Sequence, residues 1–256
     1  MNRKEEILSP VLKELSDLKA EMTKKKETIA QLLEKWGGRY TKELGIDIES
    51  GRSNEIFRWF LASILFGARI SQAKAMQTYY EFEKRKVITP DAIIGTGWDG
   101  IVEILDKGGY KRYDFKTATK LLEVMQMLNH VYGGDLNILH EKARDPKDLE
   151  SKLMEFKGVG PVTVNIFLRE LRGIWEKAEP LPGDLVIIAA RRSGLTVLEG
   201  KDREERKMLL IELKRIWEKA SLSYRFSDFE AALVKFGIDQ RRKCPHEHTL
   251  NRYKNC

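Results

Sequence analysis

Between Asn54 and Ile70 the chain reads NEIFRWFLASILFGARI. Ile56, Trp59, Phe60, Ile64 and Leu65 recur at helical spacing and leave the helix apolar nearly all round. A helix with no face for water has to be wrapped by other elements, and this demand limits the fold more than any other feature. The elements on offer are helical. Leu12, Leu15, Leu18 and Met22 recur at helical spacing between Glu5 and about Lys35, with Pro10 expected in a first turn. Asn54 is the expected cap of the central segment, Ser71 opens SQAKAMQTYYEFEKRKV, and Thr89 caps a helix with Pro90 in its first turn. Gly108 and Gly109 end one helix, and Asp114 or Thr117 caps the next, whose Leu121, Leu122, Met125 and Leu128 line one face. KDREERKMLLIELKRIWEKASLS is a further amphipathic helix, and no run of strand-like alternation occurs. The expected class is all-α. Residues 1–53 read as an N-terminal helical extension packing on the core, 54–240 as a core of two helical lobes, and 241–256 as a basic tail.

The 256 residues, 42% hydrophobic and 33% charged, suffice for one large core or two modest ones. A formal net charge of +7 favours a polyanionic partner. Two cysteines, Cys244 and Cys256, are too few for a disulfide framework. The start MNRKEEILSP has no apolar core like that of a signal peptide, and no stretch is apolar for long enough to span a bilayer. A cytoplasmic protein with no membrane contact is expected.

The stretch FKGVGPVTVN, Phe156 to Asn165, reads as helix, hairpin, helix. Gly158 and Gly160 are expected in backbone conformations closed to other residues, where amide N–H groups at a helix start can hold an anion. Such a contact is blind to base sequence. Taken alone, GVG is more simply a tight turn between two helices. Farther on, EPLPGD leads into DLVIIAARRSGL, so that Asp184 stands at the start of an apolar helix, where an acid is ordinarily a cap.

Together these elements resemble the signature of the helix-hairpin-helix DNA glycosylase superfamily: LMEFKGVGPVTVNIFLREL for the hairpin, EPLPG for the loop and Asp184 for the aspartate at a helix start. FRWFLASILFGARISQAKAMQTYYEF resembles the early core helix, turn and second helix, and GGYKRYDFKTATKLLEVM the segment before the hairpin. The resemblance covers roughly residues 54 to 240.

It implies that the hairpin, here Gly158, Val159 and Gly160 with Thr163 beside them, binds a DNA phosphate, often with a structural monovalent cation. The damaged nucleotide would be turned out of the duplex into a pocket between two lobes. Asp184 would stabilise the oxocarbenium-like sugar and help water attack it. Phe66 or Arg69 of FGARIS would fill the gap or contact the orphaned base, with Gln72 a further candidate, while core packing is the simpler account of Phe66. Tyr110 and Tyr113 of GGYKRYD, and Trp59, are the candidate pocket residues. Arg191 and Arg192, after Asp184 on its helix, are candidates for DNA phosphates.

Two departures refine the expectation. Members that also cut the backbone carry a lysine two positions after the second hairpin glycine, where this chain has Val162. The resemblance therefore implies a monofunctional glycosylase that hydrolyses the N-glycosidic bond in base excision repair, and LPGD most resembles the alkylpurine branch. The C-terminal KCPHEHTLNRYKNC lacks the cysteines of the iron–sulfur cluster that several members hold. No cofactor is required for the chemistry. Arg241, Arg242, Lys243, Arg252 and Lys254 outnumber Asp239 and Glu247 there, which suits a DNA-contacting tail as well as a solvated one. The expected partner is double-stranded DNA with a base lesion or mismatch, met by a monomer in the cytoplasm or nucleoid of a prokaryote. Two alternatives stay open: a non-catalytic DNA-binding protein on this scaffold, and a bifunctional lyase using another lysine, Lys157 or Lys120.

Overall fold

The computed structural model describes residues 3–110 and 114–243, with side chains from residue 13 onward. All its regular elements are helical, and no strand occurs among the described residues. The chain divides into two units, one formed by 1–39 with 181–256 and the other by 40–180.

The second unit is built on α3 (Ser53–Phe66), the apolar segment of the sequence. Every residue from Glu55 to Leu65 except Arg58 is buried. The surrounding helices are α2 (Tyr40–Glu43), α4 (Gln72–Lys84), α5 (Pro90–Lys107), α6 (Asp114–Tyr132), α7 (Leu136–Lys142), α8 (Pro146–Met154) and α9 (Pro161–Glu170). Phe60 shows how they close: its ring lies 5.6 Å from that of Phe156 and 5.1 Å from that of Phe167. Several polar groups inside find partners. The Trp59 indole N–H donates to the Phe167 carbonyl at 3.0 Å, and Ser63 Oγ donates to the Trp59 carbonyl at 2.8 Å. Glu55 takes the Asp47 N–H at 2.8 Å and both its oxygens accept from Arg58 at 3.1 Å.

The first unit holds α1 (Arg3–Trp36), α10 (Asp184–Arg192), α11 (Arg203–Ala220) and α12 (Phe226–Lys243). Ile29, Leu32 and Leu33 of α1 share a core with Ile187, Leu209, Leu213, Phe229 and Leu233. The buried pair Arg39–Asp228, 3.3 Å apart, and a 2.6 Å bond from Lys235 Nζ to the Gly38 carbonyl fasten the end of α1.

Several expectations hold. Ser71 Oγ accepts from Lys74 N–H at 3.3 Å, Thr89 Oγ1 accepts from Ala92 N–H at 3.1 Å, and Gly108 and Gly109 end α5. Others are corrected. Arg52, not Asn54, precedes the first helical residue of α3, and Ser53 and Asn54 lie in its first turn with the buried Glu55, which Arg58 holds from the next turn. Pro10 lies in the third turn of α1, not the first. Residues 1–53 are not one extension: 1–39 share the core of the first unit, whereas Tyr40, Leu44, Ile46 and Ile48 are buried in the second.

Phe60→Ala removes the ring that joins α3 to α9 and the α8–α9 turn. It is expected to cost the second unit about 3–5 kcal/mol, measured by denaturant unfolding.

Candidate functional site

The turn after α8 is shaped by one glycine. Gly158 has φ +75°, in the region that side chains avoid, and a Cβ there would stand 3.0 Å from Lys120 Cδ. Gly160 differs from expectation: it precedes α9 in extended backbone, φ −101° and ψ 178°, which any residue adopts. A Cβ added at Gly160 would meet nothing within 4 Å, so the space beside its α-carbon is open. Neither glycine's N–H finds an acceptor among the described residues, whereas the Val159 N–H donates to the Phe156 carbonyl at 2.9 Å and the Val159 side chain is buried. The N–H groups of Val162 and Thr163 belong to the first turn of α9, where no preceding helical carbonyl is available. The free donors are therefore on Gly158, Gly160, Val162 and Thr163, with Val159 engaged in holding the turn.

Thr163 contributes only its backbone. Its side chain is buried against Gly67, where an added Cβ would lie 2.1 Å from Oγ1. That close approach seats the 66–71 turn on the start of α9. Phe66 is half-buried, its ring 5.0 Å from Tyr40 and 6.3 Å from Trp59, while Arg69 is exposed. Gln72 Nε2 donates to the Tyr40 hydroxyl.

Lysines surround the turn unequally. Lys157 is exposed and paired with Glu123 at 2.6 Å. Lys120 lays its stem along Gly158, and its ammonium has no hydrogen bond or ion pair among the described residues. Burial, and then the like charge of Lys116, pull its pKa below the ordinary lysine value. Val162 is 65% exposed, so that position faces solvent.

The expected pocket aromatics are closed. Tyr110 is buried and donates its hydroxyl to the Leu65 carbonyl at 2.9 Å, completing the end of α3, and burial pushes its pKa up. Trp59 is wholly buried on Phe167. Both are core residues here. Tyr113 lies outside the described residues, as do Cys244 and Cys256.

In the first unit, Asp184 is the first residue of α10 and caps nothing; the Gly183 carbonyl receives the first N–H groups. Its carboxylate is half-exposed and accepts from Arg206 Nη2 at 2.6 Å through Oδ1, leaving Oδ2 without a protein partner among the described residues. Arg206 also donates to the Pro182 carbonyl at 3.0 Å and the Gly200 carbonyl at 3.1 Å, so one guanidinium fixes the loop, the aspartate and the entry to α11. Arg191 pairs with Glu199 at 3.6 Å, and Arg192 donates to Gln240 at 2.8 Å. Arg206 escaped the sequence reading because 22 residues separate it from Asp184. Its one signal is a place in the first turn of an amphipathic helix.

No model of a known protein family matches the chain, and no curated protein matches its sequence. No helix among the described residues is long and apolar enough to cross a membrane.

Arg206→Gln is expected to loosen the Pro182–Asp184 segment while leaving the core intact. Amide hydrogen exchange should accelerate over residues 183–187 and stay unchanged in α12.

Proposed function

We propose that the chain is a monofunctional DNA N-glycosylase of the helix-hairpin-helix kind, which flips a damaged or mismatched base from duplex DNA and hydrolyses its N-glycosidic bond. The observation that carries this reading is the pair of unengaged N–H groups on Gly158 and Gly160 at the start of α9. Donors of that kind suit a phosphate oxygen. A net charge of +7 agrees with a nucleic-acid partner.

The chemistry falls to Asp184. As the bond between C1′ and the base nitrogen breaks, the base departs with the electron pair and takes up a proton, and positive charge grows on the sugar. The carboxylate offsets that charge through Oδ2 while Arg206 holds Oδ1, and water adds to C1′ and loses a proton. The products are a free base and an abasic site. The turn's amides serve as the phosphate contact.

The test is a panel of duplexes bearing uracil, thymine opposite guanine, hypoxanthine, an alkylated adenine, 8-oxoguanine or adenine opposite 8-oxoguanine. Strand cleavage is expected only after hot alkali. Asp184→Asn should lower base release about a hundredfold or more with duplex affinity nearly unchanged. Equal release by that variant removes the mechanism. Binding without release from any duplex turns the reading to a non-catalytic DNA-binding protein.

A second reading rests on Lys120, an unpaired amine with lowered pKa against Gly158. An amine in that state can attack an abasic C1′ aldehyde, expel water and form an imine. Borohydride would then trap a covalent complex that Lys120→Met abolishes. On the leading reading the wild type traps nothing. Val162→Lys, at an exposed position where a side chain disturbs no core, should instead create a trappable complex.

A further inference from the structure

Helices α5 and α6 hold two large aromatic rings side by side in solvent. Trp98 is 39% and Phe115 61% exposed, with centroids 5.2 Å apart and planes at 38°. Trp98 follows Gly97, whose φ of +71° breaks α5, and its indole N–H donates to Thr119 Oγ1 at 3.1 Å. The ring is thus held in place with a face open. Rings left exposed beside cations form the kind of surface on which nucleobases stack.

The cations stand on the same helix. Lys116 follows Phe115, and Lys120 lies one turn farther, about 6 Å along the axis. Neither ammonium has a hydrogen bond or ion pair among the described residues, and the like charge of Lys116 helps to lower the Lys120 pKa beside the larger effect of burial. Asp114, next to Phe115 in the chain, accepts the Phe115 N–H through Oδ1 at 2.8 Å, and Asp99 follows Trp98. Along the helix, Gly158, Lys120, Lys116 and the Phe115–Trp98 pair follow in order.

We propose that this line is the path of an unpaired nucleic-acid strand leaving the α8–α9 turn: Lys120 and Lys116 take successive phosphates, and a base stacks on the Phe115–Trp98 pair. The inference rests on the reading that the turn receives a DNA phosphate. Bases within a duplex already stack on one another, so the aromatic faces select an unpaired flank. An apolar peptide would use the rings but leave two ammonium groups unneutralised. The favoured substrate class is therefore duplex DNA with a single-stranded tail next to the bound site.

Fluorescence anisotropy with a blunt duplex and the same duplex bearing a tail at either end tests this on the full chain. Wild type should bind one tailed duplex at least about fivefold more tightly than the blunt one, and Trp98→Ala with Phe115→Ala should erase that difference. Trp98→Phe should keep it. Lys116→Ala and Lys120→Met, the latter retaining the stem against Gly158, should each lower the salt slope for the tailed duplex by about one. Equal binding of blunt and tailed duplexes, unchanged in the aromatic variants, overturns the strand path while leaving the glycosylase reading in place. Failure to bind any duplex overturns both. Circular dichroism of each variant guards against loss of fold.

Discussion

The Trp59 indole sits where water cannot reach, with a single N–H to satisfy, and the carbonyl that satisfies it belongs to Phe167 on α9. That bond, with the Phe60 ring between Phe156 and Phe167, fixes α9 against α3 at a depth where losing a partner is costly. The position of the α8–α9 turn follows, because Phe156 precedes it and Pro161 begins the helix beyond. At the far end of α9 the carboxylate of Glu170 is fully buried and accepts the N–H groups of Tyr40 and Thr41 at 2.9 Å each. Burial raises its pKa, and the two amides oppose that rise. One helix therefore anchors the start of the unit with its last turn and presents open amides with its first.

The electrostatics around the turn divide by task. Lys157, the lysine nearest in sequence, is neutralised by Glu123 on α6. Lys120, one turn away from that glutamate, packs its stem on Gly158 and keeps its charge unmatched. A glycine at 158 is favoured by its left-handed φ, and a Cβ there would also crowd the lysine stem lying across it. The unmatched charge is tolerable because Lys120 is half-buried rather than enclosed.

Local chemistry was legible in the sequence, and distant pairing was not. Ser71 and Thr89 announce their helices because a cap needs only the next few amides. Asn54 misled because the start of α3 is decided by the buried Glu55, which answers to Asp47 and Arg58 as well as to its own helix. Tyr110 sits in a segment that reads as a polar loop, yet its hydroxyl completes the end of α3, a partner 45 residues away that no local pattern reveals. The Trp98–Phe115 contact and the Arg206–Asp184 bond are likewise products of packing. The all-helical class was readable because the apolar residues of α3 leave no solvent face, whatever surrounds it.

On the proposed chemistry, the grip of Arg206 on Asp184 has a specific use. A carboxylate at the end of an exposed loop would rotate freely, and a charge meant to face a growing cation would first have to be oriented. Arg206 removes that freedom by binding one oxygen and two backbone carbonyls at once, and the second oxygen keeps no protein partner among the described residues. Pairing with a cation also weakens the field the carboxylate can offer. The arrangement trades some charge for fixed direction, which favours a reaction whose attacking group is water, since water must be met at one place. An amine nucleophile carried on the protein would need less such direction, because its own stem positions it. On that reading the nucleophile is solvent water, and the held carboxylate supplies the direction of the charge it meets.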